Sequence, residues 1–206
     1  MNGQSLLALA LAFTLAACAS PTGPDDGTAS TSSSASTGAS SSSSGAGGGT
    51  GGAPDSPDGT WDLTATISLN GHDIAHEIQS AVSYTVDFGG QPMTAVVLTN
   101  QPHYCEALQS KACLPEGTFL VEMTLAGTEP GDYPLGSAVD QAPHTVSAFL
   151  TPIDADCVGA GLGASDGGVK VTEISLDEGG GVDVTLDLGF FGGALTGTVE
   201  APFCAL

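Results

Sequence analysis

The chain has 206 residues, with 23 Asp and Glu against two Lys, no Arg, four His and five Cys, for a formal net charge of -21. Nucleic acid and anionic lipid surfaces demand a basic footprint, so a chain this acidic is set aside as a nucleic-acid binder. The partners its charge would attract are cations and basic proteins.

From the N-terminus, Leu6 to Ala17 reads LLALALAFTLAA, apolar except for Thr14. As a helix this run reaches ~18 Å, short of a ~30 Å hydrocarbon core, so residues 1–17 read as a secretory signal peptide and not as a span. Leu15-Ala16-Ala17-Cys18 at its end resembles the lipobox of bacterial lipoproteins. That resemblance implies that the Cys18 thiol is lipidated and becomes the first residue of the mature chain. One acyl chain holds only marginally, whereas the several chains of a lipoprotein anchor stably. Ala19, where an Asp would favour inner-membrane retention, implies by the same resemblance an outer-membrane location, facing the periplasm or the surface.

The lipidated cysteine and the segment after it, residues 18–57, are rich in Ser, Thr, Ala, Gly and Pro. Such a composition buries too little apolar surface to offset the entropy of ordering, and it is expected to act as a flexible spacer of ~35 Å reach. Residues 58–206 then make up a domain of about 150 residues, enough for its own core. All but three of the acidic residues (Asp25, Asp26 and Asp55) fall in it with Lys111 and Lys170, a balance of about -18.

Period-two patterning runs through this domain. WDLTATISLN places Trp61, Leu63, Ala65, Ile67 and Leu69 on one strand face. The same alternation predicts inward faces for Val82, Tyr84, Val86 and Phe88, for Phe119, Val121, Met123 and Leu125, for Val146, Ala148 and Leu150, and for Val182, Val184, Leu186, Leu188 and Phe190. Met93 to Leu98 is more continuously apolar and predicts a central strand covered on both sides. In VKVTEISL the parity slips between Val171 and Ile174, predicting a bulge near Thr172 and Glu173. Glycine turns at Asp177 to Gly181 and Phe190 to Ala194 predict an antiparallel meander over Val169 to Ala201. Only Pro102 to Gln109 reads as helical.

The expected fold is therefore all-β, an antiparallel β-sandwich of about eight strands with one short helix. Gly59-Thr60-Trp61 resembles the Gly-x-Trp of lipocalins, which makes a closed up-and-down barrel the alternative, although the late Arg of that family is missing here. GDYPLG from Gly131, GGVKVTEI from Gly167 and ALTGTVEAPFC from Ala194 are similar to β-rich domains of bacterial lipoproteins, a resemblance that implies architecture and no activity.

With Cys18 assigned to lipid, Cys105, Cys113, Cys157 and Cys204 remain as an even set for an oxidising compartment. Three connectivities exist; the expected one joins Cys105 to Cys113 locally and Cys157 to Cys204, which fastens the C-terminal tail. No Cys-x-x-Cys knuckle supports a zinc site, and no metal ligand set is assigned.

Catalytic patterns fail their context tests. Gly163-Ala164-Ser165-Asp166-Gly167 fits Gly-x-Ser-x-Gly, but a glycine-rich loop precedes it, a strand follows, and His72, His76, His103 and His144 all come earlier in the chain. Gly159, Gly161 and Ala164 fit a dinucleotide fingerprint with no helix to follow. His72, Asp73, His76 and Glu77 offer metal-ligand chemistry, but in a stretch that reads as a solvated connection between strands. Asp154, Asp156, Asp177, Glu178 and Asp183 support at most weak calcium binding, since the spaced loop of a dedicated site is missing. No cofactor and no enzyme activity are expected. The function expected is a binding or structural role at the cell envelope, with an apolar-ligand carrier and an envelope hydrolase as alternatives.

Overall fold

The computed structural model of the protein describes residues 58–136, 142–157 and 159–206. The signal peptide, Cys18 and the spacer lie outside the described residues. In chain order the elements are β1 (Thr60–Ala65), β2 (Ser68–Leu69), β3 (His72–Asp73), α1 (Ile74–Glu77), β4 (Ser80–Phe88), β5 (Gln91–Thr99), α2 (Tyr104–Ser110), β6 (Phe119–Leu125), β7 (Gly131–Pro134), β8 (Val146–Pro152), β9 (Leu162–Ile174), β10 (Gly181–Phe190) and β11 (Gly193–Pro202). The fold is all-β and antiparallel, with two short helices where the sequence predicts one.

One sheet of nine strands runs in the order β1-β11-β10-β9-β8-β6-β5-β4, with β7 also paired to β9, and β2 and β3 form a separate hairpin. The sheet curls until its last strand meets β11 again. Ser83 and Phe203 form an isolated parallel bridge, the Cys204 amide donates to the Ser83 carbonyl at 2.7 Å, and the Ser83 hydroxyl donates to the Ala201 carbonyl at 2.9 Å. Isolated contacts, these and the Ala81 amide donating to the Asp58 carbonyl at 2.7 Å, and not a ladder, join the two ends, so the curl is a half-barrel and not a closed lipocalin-like barrel. Its two walls face each other across a filled interior. Phe119, Met123 and Leu150 from one wall and Leu186, Leu188 and Leu195 from the other belong to one buried cluster.

Alternation explains most of that core. The inward sets predicted on β6, β8 and β10 are all buried, and Trp61, Leu63 and Ala65 pack on the same cluster. Met93 to Thr99 is buried throughout, as a strand covered on both faces should be. The bulge falls where the parity slips: Asp183 pairs with Glu173 but Val184 with Val171, leaving Thr172 as the extra residue. The meander β9-β10-β11 is present, with Phe191 and Gly192 turning between Phe190 and Gly193.

Three expectations are corrected. Val82 and Tyr84 are buried on the outer face of β4, in a second cluster beneath α2, while Ala81 joins the main core and Phe88 is 43% exposed at the hairpin tip. Alternation sorts residues into two faces but does not say which face meets which layer. The strand begun at Trp61 ends at Ala65, because Asn70 and Gly71, at φ 50° and 88°, turn Ser68 back onto Asp73 in a tight hairpin. Of the glycine-rich stretch read as a loop after Cys157, Gly159 to Gly161 lie outside any strand, but β9 begins at Leu162 and takes in Gly163 and Ala164. A Cβ at Gly167 would collide with the Asp187 carbonyl, so glycine there permits close backbone approach.

The disulfide pairing is also corrected. Cys105 bonds to Cys204 and Cys113 to Cys157, with Cα separations of 5.6 and 5.7 Å. Cys105 sits buried in the first turn of α2 against the tail, whereas Cys113 lies three residues beyond the end of the helix, exposed on the connection to β6.

Gly59 shows what the seam demands. At φ 80° it lies where an added Cβ would stand 2.7 Å from the Glu200 carbonyl oxygen and 2.8 Å from that of Ala81, so only glycine lets the start of β1 pass between β11 and β4.

Candidate functional site

The two outer faces of the sheet differ in kind. Register places Thr60, Glu200, Asp183 and Glu173 side by side across β1, β11, β10 and β9, and the next outward row is Asp62, Thr198, Thr185 and Lys170, with Asp132 of β7 opposite Lys170. Thr64, Thr196 and Asp187 continue the pattern. The Thr60 hydroxyl donates to Glu200 at 2.7 Å. A shallow depression of about 380 Å³ opens here, lined among others by Thr60, Asp62, Asp183, Thr185, Thr198 and Glu200. Partial burial, then the neighbouring charges of Glu200 and Glu173, raise the Asp183 carboxyl above its ordinary range. Like charges are thus crowded on a polar surface that no element of the described chain covers.

The opposite outer face, on β4, β5 and β6, is apolar and covered. Val82, Tyr84, Ala95 and Val97 pack beneath Tyr104 and Cys105 of α2 and Cys204 of the tail. Glu122 of β6 lies here too, and burial raises its carboxyl above the ordinary range. Burial, reinforced by the Glu122 charge, likewise raises the hydroxyls of Tyr84 and Tyr104 well above the usual tyrosine range. Sequence reasoning missed this cluster. Its one signal is a lone carboxylate in the apolar run FLVEMTL.

The other sequence candidates do not assemble. His72 Nδ1 lies 2.6 Å from Glu77 Oε2 and His76 Nδ1 2.9 Å from Asp73 Oδ1, two separate pairs and not one ligand set. Among the described residues no group of three or more His, Cys, Asp or Glu is placed to hold a metal ion. Hydrogen bonds from His76 to Asp73, and from His72 and the Asp73 amide to Glu77, hold both carboxyls below their ordinary range. Ser165 is an exposed bulge residue of β9, its hydroxyl donating to Asp166 at 3.1 Å and to the Gly189 carbonyl at 3.3 Å. No strand-to-helix elbow surrounds it. Asp154 Oδ1 accepts from the Asp156 amide at 2.9 Å in the connection before Cys157.

Cys105 and Cys204 are buried between α2 and the tail, whereas Cys113 is exposed on the connection to β6. Cys18, the expected lipidation site, lies outside the described residues. Among the described residues no helix is long and apolar enough to cross a membrane. Comparison with known proteins finds no matching family model, no matching curated protein and no matching solved structure.

Proposed function

We propose that the chain is a lipid-anchored lipoprotein of the cell envelope, held at the outer membrane through Cys18, whose acidic β-domain has a binding or structural role. The carrying observation is that Cys105, Cys113, Cys157 and Cys204 satisfy one another within the domain. Of the five cysteines this leaves Cys18, which follows an apolar run too short to span a bilayer. Disulfides persist in the oxidising compartment to which a signal peptide delivers its cargo.

The binding half of the reading is supported by the uncovered threonine and carboxylate face of β1, β11, β10 and β9. A cationic or basic partner there relieves the mutual repulsion of Asp183, Glu200 and Glu173. The packed interior supports binding on this face over carriage of an apolar ligand within the sheet.

Fractionation of cells expressing the full chain tests the anchor. The wild type is expected with the membranes and in the detergent phase, and Cys18→Ser in the soluble fraction. Cys18→Ser recovered with membranes at the wild-type level contradicts the proposal.

A further inference from the structure

The two walls of the half-barrel, β1, β11, β10, β9 and β7 on one side and β4, β5, β6 and β8 on the other, meet at two joints. At the seam of β4 with the chain end the backbone contacts are isolated, and the Cys105–Cys204 bond crosses from α2 to the tail. At the β8–β9 corner, strand pairing is confined to Phe149 opposite Gly163 and Leu150 opposite Leu162, with an isolated bridge from Leu135 to Val146 at the other end of β8. Residues 153–161 connect the two strands there, and Cys113–Cys157 ties this connection to the one that leads from α2 into β6. The Ile153 amide donating to the Thr118 carbonyl at 2.7 Å and the Gly117 amide donating to the Ile153 carbonyl at 3.2 Å join the same two connections. One disulfide thus fastens each joint.

The two bonds differ in what can reach them. Cys105 and Cys204 are 5% and 2% exposed, in one buried cluster with Val82, Tyr84, Val97 and Tyr104. Cys113 is exposed and Cys157 half-buried, both on connections outside any helix or strand. Cys157 also stands at φ 63°, in the left-handed region disfavoured for a residue with a Cβ, and the cross-link helps to hold it there. Exposed disulfides are the labile ones, whereas a bond inside a packed cluster is reached only after its cover opens. We propose that Cys113–Cys157 is a thiol-exchange site, reduced by dithiols while Cys105–Cys204 stays closed, and that its reduction loosens the β8–β9 corner without unfolding the sheet.

The exchange takes two steps. A thiolate of the dithiol attacks the exposed Cys113 sulfur; a mixed disulfide forms, the Cys113–Cys157 bond breaks, and the Cys157 sulfur leaves as a thiolate that takes a proton from water. The second thiol of the reductant, as its thiolate, then attacks the reductant sulfur of the mixed disulfide and releases Cys113, which is protonated in turn. The protein bond has gained two electrons and two protons, and the dithiol ends as its own disulfide. The corner is then held by the two backbone hydrogen bonds between its connections and the short pairing of β8 with β9, few enough to open as a local unit. The other joint keeps its bond, and the core between the walls keeps its packing.

Reduction of the full wild-type chain under native conditions tests this. The protein is held in dithiothreitol at pH 8 without denaturant, quenched at intervals, and its free thiols are alkylated and located by peptide mass spectrometry. Cys113 and Cys157 are expected to take up label together, at least about a hundredfold faster than Cys105 and Cys204, whose exposure needs a sub-global opening. Labelling of all four at one rate, labelling of Cys105 and Cys204 first, or no labelling until the chain is unfolded overturns the proposal. Hydrogen exchange on the selectively reduced chain reads the second half of it: amides of residues 113–118 and 153–163 are expected to exchange about tenfold faster than in the oxidised chain, with β10 and α2 unchanged. Corner amides that keep their protection, or a loss that spreads through β10, overturn it.

Discussion

The outer face of β9, β10, β11 and β1 and the outer face of β4, β5 and β6 belong to one sheet, yet they are opposite in character. On β1, β10 and β11 the first alternates, Thr and carboxylate outward and apolar side chains inward, with parity slipping at Thr172 on β9, and it is left to solvent. The second centres on the continuously apolar β5 and is roofed by α2, with disulfides tying Cys105 of α2 to the tail and Cys113, just beyond α2, to the β8–β9 connection. The continuous apolar run of β5 marks a strand that needs a cover on both faces, whereas alternation leaves the matter open: β10 alternates toward solvent, and β6 alternates beneath a roof. The stapling also follows this division, since a seven-residue helix is too short to be stable without its packing.

If that contrast is right, removing the staples should have the largest effect. Loops of 99 and 44 residues are closed by Cys105–Cys204 and Cys113–Cys157, for which the loop-entropy account gives about 4.7 and about 4.0 kcal/mol. Cys105→Ser/Cys204→Ser is expected to lower stability by the larger amount in urea titration and to expose the Tyr84–Tyr104 face to dye binding. A loss confined to the uncovered face would break the comparison.

A smaller effect is expected at Glu122, the carboxyl trapped under the cover. Its raised folded-state pKa means a contribution to stability that is full below the ordinary Glu value and lost as pH rises through the folded value. Glu122→Gln is accordingly expected to gain about 1 kcal/mol at pH 8 and to flatten the fall in stability between pH 5 and pH 8. Calorimetry across that range checks both.

Smallest of the three is Asp183 on the open face. Asp183→Asn removes a partly buried charge and its repulsion from Glu200 and Glu173 and is expected to add about 0.3 kcal/mol at low salt, shrinking in 1 M NaCl, where charges are screened within ~3 Å. A gain unchanged by salt would mean that crowding of like charges is not what distinguishes this face.

Much of this architecture was legible in the residues. β10 and β6 follow from alternation alone, β5 from its unbroken apolar run, and the Thr172 bulge from a one-residue slip in parity. What could not be read depends on three-dimensional layering. Val82 and Ala81 are both apolar neighbours on β4, and only the position of α2 decides which core each joins. Cysteine spacing left three connectivities open, and only the packing of α2 against the tail shows that Cys105 meets Cys204. The Asn70-Gly71 hairpin was masked by an alternation that ran on through it, although that dipeptide is itself a strong turn signal. Glu122 was hidden because a carboxylate in an alternating strand reads as solvent-facing until a helix is laid over it.

The central claim is a division of labour among five cysteines, four for the domain and Cys18 for the membrane. Peptide mapping by mass spectrometry, without reduction, of the full chain extracted from membranes tests it most directly. The account predicts Cys105 linked to Cys204, Cys113 linked to Cys157, and an N-terminal peptide that begins at Cys18 and carries acyl chains. An unacylated Cys18, or Cys18 found in a disulfide with any of the other four, would contradict it.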